Sequence, residues 1–322
     1  MADRLGSPVV VITGASSGIG QATAEAFARD GARLVLAARG ERALEEVAAR
    51  CRSLGADVIA VPTDVTDPEA VERLAVRARG FGGRIDVWVS NVGVGAVGRY
   101  HDTPMRAHEQ VIRANLLGHM HDAHAAIPHF LRQGRGIFIN MISLGGFAAA
   151  PFAAAYSASK FGLRGFSEAL RAELADHPGI HVCDVYPAFI DTPGLRHGAN
   201  YTGRALSAPP PVYDARRVAA AIVRLSHAPK PTTTVGWVAD ATRLAHLLAP
   251  NWTTRLMARF MAAYFRRARG APVTDGNLFA PPPDGGRIDG GLRSSRQRML
   301  GLGLLAGCAL VLVSLDRRYA RR

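Results

Sequence analysis

Lysine is almost absent from this chain. Lys160 and Lys230 are the only two in 322 residues, so nearly all of its 39 cationic side chains are Arg. Cysteine is scarce too: Cys51, Cys183 and Cys308 are scattered with no paired spacing. That excludes a Cys-based zinc site and a disulfide framework, and fits a reducing compartment. The first residues, Met1-Ala-Asp-Arg-Leu-Gly6, lack a charged segment followed by an apolar one, so no signal peptide is expected. Charged residues make up 20% against 48% hydrophobic, which excludes an intrinsically disordered chain. Acidic residues are outnumbered, giving a net charge of +13 and inviting a nucleic-acid reading. The distribution argues against it. Residues 1–250 hold 26 basic and 22 acidic side chains, whereas residues 251–322 hold 13 Arg and 4 Asp.

What is present alternates. Short apolar runs at Val9–Thr13, Ala32–Ala37, Val58–Val61, Ile85–Ser90, Ile137–Ile142, Val182–Tyr186 and Thr232–Val238 read as strands. Between them, Gly18–Arg29, Glu41–Leu54, Pro68–Arg79, Met105–Arg132 and Ala155–Asp176 read as helices. Strands without in/out alternation, separated by helices, imply a parallel sheet covered on both faces. The expected fold is α/β, a doubly wound parallel sheet occupying residues 1–240 as one domain. Residues 241–269 read as an amphipathic helical extension interrupted at Pro250. Residues 270–298, rich in Gly and Pro, read as a linker without a core of its own. Residues 299–315 form an uncharged apolar segment, and residues 316–322 a basic end.

The first strand runs straight into Thr13-Gly-Ala-Ser-Ser-Gly-Ile-Gly20, followed by a helix. Gly14, Gly18 and Gly20 allow a tight turn and close approach to a pyrophosphate, which free N–H groups at the helix N-terminus stabilise. The same stretch matches the G-x-S-x-G elbow of hydrolases, but that elbow normally follows several strands and here it follows the first. At the end of the second strand stand Ala38 and Arg39, with no acid before Glu41. An acid there would accept from a ribose 2′-hydroxyl, whereas Arg accommodates a 2′-phosphate, which favours NADP(H) over NAD. A solvated Arg at a strand end is the plain alternative.

Tyr156-Ser-Ala-Ser-Lys160 places Tyr and Lys on one helical face. A phenol acting as an acid needs its pKa lowered, and a nearby ammonium does this by stabilising the phenolate. Ser143 ends the strand Ile137–Ile142 at the carboxyl edge, where open α/β sheets bind ligands. Asn115 lies in the long helix before that strand.

In order and spacing, Thr13–Gly20, Asp64-Val65, Asn91-Val-Gly93, Asn115, Ser143, Tyr156-x-x-x-Lys160 and Pro187–Thr192 resemble the short-chain dehydrogenase/reductase family over roughly residues 7–240. The resemblance implies a catalytic set of Ser143, Tyr156, Lys160 and Asn115. Tyr156 would exchange a proton with the substrate oxygen, and Lys160 would lower its pKa and hold the nicotinamide ribose. Ser143 would polarise the oxygen, and Asn115 would hold a water in the relay. The resemblance further implies a cofactor site of Gly14, Ser16, Ser17, Gly18, Ile19, Gly20, Arg39, Asp64, Val65, Asn91, Gly93, Tyr156, Lys160, Pro187, Ile190 and Thr192, and a homodimer through helices 105–132 and 155–176. Val92 stands where the family commonly has Ala, Ala188 where Gly is usual after Pro187, and Ser17 where NADP-using members often carry a cation.

His119, His121, His124 and His129 fall on one helix with Asp122, but only His121 and His124 share a face, so no metal site is expected. In the tail, Arg296 and Arg298 precede Met299–Leu315, and Arg317 and Arg318 follow. As a helix this segment would be about 25 Å long, enough for a locally thinned bilayer. Trp252, Leu256, Phe260, Met261, Tyr264 and Phe265 recur at helical spacing beside Arg255, Arg259, Arg266 and Arg267, suiting either an anionic lipid surface or a lid on the substrate cleft. The sequence thus leads to a membrane-associated, NADP(H)-dependent oxidoreductase with a cytoplasmic catalytic domain. Its expected partners are an apolar alcohol or carbonyl substrate and membrane lipid, with no nucleic acid. A membrane-tethered dinucleotide-binding or scaffold protein without turnover is the alternative.

Overall fold

A computed structural model describes residues 6–282 and 286–293. Seven parallel strands form one sheet: β1 (Val9–Thr13), β2 (Arg33–Ala38), β3 (Val58–Pro62), β4 (Val87–Ser90), β5 (Gly136–Met141), β6 (Ile180–Pro187) and β7 (Thr232–Val235). Their spatial order is β7-β6-β5-β4-β1-β2-β3, the doubly wound arrangement expected from the alternation. Val10 pairs with Leu34 on one side and Val87 on the other. The order in which successive strands are added switches sides between β1 and β4, so the carboxyl ends of these two strands frame the crevice where such sheets take ligands.

All five β1 residues are buried because each face meets its own helical layer. Val10 and Ile12 pack with Phe27, Leu44 and Ile222. Val11 packs on the opposite face with Leu74, Trp88 and Phe130. The first layer uses α1 (Gly18–Arg29), α2 (Glu41–Ser53) and α8 (Ala215–His227); the second uses α3 (Pro68–Gly82), α5 (Gly118–Gln133) and α6 (Ala154–Glu173). Local signals set the boundaries. Asp67 caps α3 by accepting from the Glu69 and Ala70 amides, Pro68 fills its first turn, and Gly83 ends it at φ 75°.

Four expectations change. The single helix over 105–132 is instead α4 (Met105–Ile112), a π-helical turn at Arg113–Leu117, and α5. The last strand stops at Val235, because Gly236 turns at φ 97° and a Cβ there would stand 2.5 Å from the Tyr213 ring. The four-residue α7 (Gly194–His197) follows the Pro187–Thr192 loop, and the helical extension begins early, as α9 (Trp237–Leu248) and α10 (Pro250–Arg267). Residues 274–282 and 286–293, expected as a free linker, pack against the body as a strap: Leu278 is fully buried and Ile288 nearly so. Among the described residues no helix is long and apolar enough to cross a membrane. The apolar segment 299–315 and the basic end 316–322 lie outside the described residues.

Candidate active site

The glycine-rich turn sits at the carboxyl end of β1. Gly14 and Gly18 adopt φ 68° and 54°, which other residues reach only with strain. A Cβ on Gly20 would stand 2.0 Å from the Gly14 carbonyl oxygen, so only glycine lets α1 close onto the turn. Asn91, after β4, donates its side-chain amide to the Thr13 and Gly14 carbonyls. The two strand ends are therefore locked together.

A group absent from the expected site holds this junction. Asp122, fully buried on α5, accepts hydrogen bonds from the Thr13 and Ser90 hydroxyls at 2.7 and 2.6 Å. Burial pushes its carboxyl up to about 7 against those two bonds. Its acidic partnering of one residue on β1 and one on β4 leaves no periodic trace in the sequence.

The other expected cofactor contacts gather around the same crevice. Asp64 accepts from the Thr66 amide and hydroxyl, and Val65 is buried, with its carbonyl 2.8 Å from His121 Nδ1. Val92 packs at the edge of the second core, and its carbonyl lies 2.7 Å from His119 Nε2. Pro187 is buried at the end of β6, while Ile190 and Thr192 are partly exposed beyond it. Gly93 is exposed, and Ser16, Ser17 and Ile19 are partly exposed along the turn.

The strap crosses this crevice. The Arg39 guanidinium donates to the Asn277 and Leu278 carbonyls at 2.6 and 3.1 Å. The Gly18 amide donates to the Arg287 carbonyl at 2.9 Å, and the Gly286 amide to the Ser16 carbonyl at 3.0 Å. Arg293 then pins the strap, reaching carboxylates of Asp191, Asp214 and Asp289 at 3.1, 2.9 and 2.9 Å. Asp191 also accepts from the Gly290 and Leu292 amides. The residue types thus fit a phosphorylated dinucleotide: a glycine turn at a helix N-terminus plus a guanidinium at the second strand's end. Two of those donors are shared with strap carbonyls.

Across the crevice stand the chemical groups. Ser143 leaves β5 at φ 129°, a strained conformation for a residue with a Cβ, and its hydroxyl accepts from the Gly145 amide at 3.2 Å. A Cβ on Gly145 would lie 3.1 Å from Tyr156 Cε1 and 3.7 Å from Ser143 Oγ, so a glycine keeps open the space that both side chains border. Lys160 is buried one helical turn beyond Tyr156, its Nζ 5.8 Å from the phenol ring centre and donating to the Met141 carbonyl at 3.0 Å. Ser143, Tyr156 and Lys160 are thereby brought together.

Their protonation differs from the sequence expectation. Burial pushes the Tyr156 phenol above its usual value, with the Ser143 hydrogen bond acting the other way. Burial also pushes the Lys160 ammonium down to about 7. Desolvation outweighs attraction here because the ammonium is directed to a backbone carbonyl rather than to the phenol oxygen.

Asn115 is fully buried within the π-turn. Its amide accepts from and donates to the Val94 backbone at 2.8 and 2.9 Å, and reaches Ser159 at 3.3 Å. Ser159 in turn donates to the Tyr156 carbonyl at 2.7 Å. The side chain of Asn115 thus braces the start of α6. The histidines have different partners: His119 joins Val92 and Asn140, His121 meets Val65, and His124 pairs with Glu72.

Comparison with known proteins gives a consistent answer. The short chain dehydrogenase family model matches residues 8–200. An uncharacterized oxidoreductase of Bacillus subtilis, YxnA, is 35% identical over 261 residues, covering 80% of this chain and 73% of its own. Dehydrogenase/reductase SDR family member 7 of mouse is 35% identical, and the match spans only 54% of that relative's length. Among solved structures, an alcohol dehydrogenase from the archaeon Thermococcus sibiricus complexed with 5-hydroxy-NADP superposes with a TM-score of 0.62 at 27% identity, over 71% of this chain and 96% of that one. A metagenomic short-chain oxidoreductase in complex with NADP gives 0.61 at 28% identity, over 72% and 98%.

Proposed function

This chain belongs to the short-chain dehydrogenase family and is an NAD(P)-dependent oxidoreductase, and on that premise we propose that it uses NADP(H) to interconvert an apolar alcohol and its ketone or aldehyde at a membrane. The observation that carries the chemistry is the convergence of Ser143, Tyr156 and Lys160. When bound, the cofactor supplies or accepts the hydride. Arg39 supports the 2′-phosphate form, and two solved structures of similar fold carry that nucleotide or its 5-hydroxy derivative. Gly14, Gly18, Ile19 and Gly20 would hold the pyrophosphate, and Asp64 and Val65 would border the adenine.

The residues then divide the work. Tyr156 gives its phenolic proton to the carbonyl oxygen in reduction and recovers one in oxidation. Its raised pKa keeps it protonated at neutral pH, suited to the acid role. Ser143, fixed by the Gly145 amide, donates its hydroxyl hydrogen to the same oxygen and steadies developing charge. Lys160, buried with its Nζ 5.8 Å from the ring centre and its ammonium lowered to about 7, is placed to resupply the phenol with a proton.

Membrane association rests on Met299–Leu315 with its bracketing Arg residues, which supports an apolar, lipid-like substrate. Partly exposed Leu117, Met120 and Leu131 support a homodimer through α4–α6. The test is NADPH oxidation by the full-length protein with carbonyls graded from acetone to long-chain and isoprenoid aldehydes. Turnover is expected to rise with chain length, and Tyr156→Phe to lose about 10²-fold or more in kcat while still binding NADPH. A Tyr156→Phe variant as active as the parent refutes the mechanism. Turnover confined to acetone refutes the substrate class. NADPH binding without turnover on any carbonyl favours a dinucleotide-binding scaffold.

A further inference from the structure

The helices α9 and α10 follow one another with only Ala249 between them and are in contact, and each has two unlike faces. The inner face is partnered. Phe265 meets Phe152 edge-on at 5.1 Å, the Tyr264 hydroxyl donates to the Ala205 carbonyl, and Ala239 is buried against Leu144, next to Ser143. The lid and lipid expectations for this stretch thus fall on opposite faces of the same helix. On the outer face Leu244, Leu247, Leu248, Trp252, Leu256 and Phe260 are all more than half exposed, Leu247 at 76% and Leu248 at 74%. Soluble surfaces rarely group large apolar side chains in this way.

Charge indicates what covers that face. Residues 241–269 contain six Arg and no Asp or Glu. Arg255 and Arg259 are exposed directly beside Leu256 and Phe260. A second copy laid on this face would set Arg against Arg, and so would the chain's own Arg-bracketed segment 299–315. An anionic lipid surface offers phosphate to the guanidinium groups and acyl chain to the leucines and aromatics. The described chain also ends toward this side. Arg293 is paired to Asp214, and neighbouring Tyr213 abuts Gly236 at the foot of α9. The uncharged segment begins six residues later.

We propose that the α9–α10 face lies in the plane of an anionic membrane interface as a second contact, beside the cleft mouth, with its apolar side chains inserted among the acyl chains. This rests on the membrane reading above, but it is separable from it. A tail alone would tether the enzyme in any orientation, whereas this face fixes the side bearing Ser143 against the lipid.

The chain's three tryptophans make the test direct, because Trp88 is fully buried while Trp237 and Trp252 are exposed on α9–α10. Full-length protein carrying Trp237→Phe is reconstituted into vesicles of phosphatidylglycerol and phosphatidylcholine with brominated acyl chains. Bromine quenching of Trp252 and a blue shift of its emission are expected, both absent in the further variant Trp252→Phe. Leu248→Ser combined with Phe260→Ser is expected to reduce the quenching several-fold while the protein still co-floats with the vesicles. Co-flotation with Trp252 unquenched overturns this proposal and leaves the tail anchor standing. Failure to co-float overturns both. Without lipid, Trp252 shielded from acrylamide in a dilute monomer assigns the face to the chain's own tail, and shielding that appears only with dimerisation assigns it to a second copy. Either result overturns the proposal.

Discussion

Asp122 shows how one buried carboxyl can govern a turn it does not belong to. It accepts from Thr13 and Ser90, and Thr13 in turn receives the Asn91 amide at 3.3 Å, so the phosphate-side turn and the end of β4 share one acceptor. Its folded-state pKa, raised to about 7, lies above the unfolded value of about 4. The folded chain therefore binds the extra proton at Asp122 between those limits, and this group's contribution to stability is greatest below the window and is lost as pH rises through it. Asn at this position keeps an acceptor for both hydroxyls and does not titrate. The denaturation midpoint of the parent minus that of Asp122→Asn, measured at intervals from about pH 4 to pH 8, should fall as pH rises, because buried His119 and the other titrating groups are common to both and cancel in the difference. Parallel profiles would show that the carboxyl is ionised throughout. Ser143, Tyr156 and Lys160 were legible only jointly, through the order and spacing that carry the family resemblance. Asp122 was not, since its meaning comes from two hydroxyls 109 and 32 residues away.

At the scale of elements, the strap is where composition misled. Glycine and proline mark a segment without periodicity, and periodicity is what reveals helices and strands. The strap is held otherwise: by its own backbone carbonyls on Arg39 and Gly18, by two buried side chains, and by Arg293 among three carboxylates. The π-turn was hidden for a similar reason, because one inserted residue leaves the apolar pattern of a helix almost unchanged. With the cofactor placed as proposed, strap and dinucleotide call on the Arg39 guanidinium and the Gly18 amide alike, so NADPH would displace the strap to use them. When only the open fraction binds, apparent affinity drops by that fraction. Loosening either end should therefore tighten NADPH binding several-fold. Arg293→Ala frees one end, and Leu278→Ser frees the other by placing a hydroxyl in the cluster that contains Val94 and Val111. Fluorescence titration of both variants against the parent measures it. Weaker binding in both would mean that the strap clasps the nucleotide instead of competing with it.

Over the whole molecule the charge excess resolves into two parts with separate physical duties. The first 250 residues are nearly balanced and build the sheet and the cores on its two faces; the remaining residues carry 13 Arg against 4 Asp. If the tail and α9–α10 together seat the enzyme on anionic lipid, arrival and retention depend on different forces. Arrival is steered by Arg over a screening length of about 10 Å at 0.1 M salt and about 3 Å at 1 M. Retention depends on buried apolar surface, which salt does not weaken. Association of full-length protein with phosphatidylglycerol vesicles, followed by energy transfer from tryptophan to a labelled lipid, should thus slow at least tenfold between those two salt concentrations. The fraction already bound should survive the same change. Equal loss of rate and of bound protein would reduce the attachment to electrostatics, and a salt-independent rate would remove the Arg side chains from the encounter. The expected combination needs both halves of the tail's sequence, its cations and its uncharged run, acting in succession.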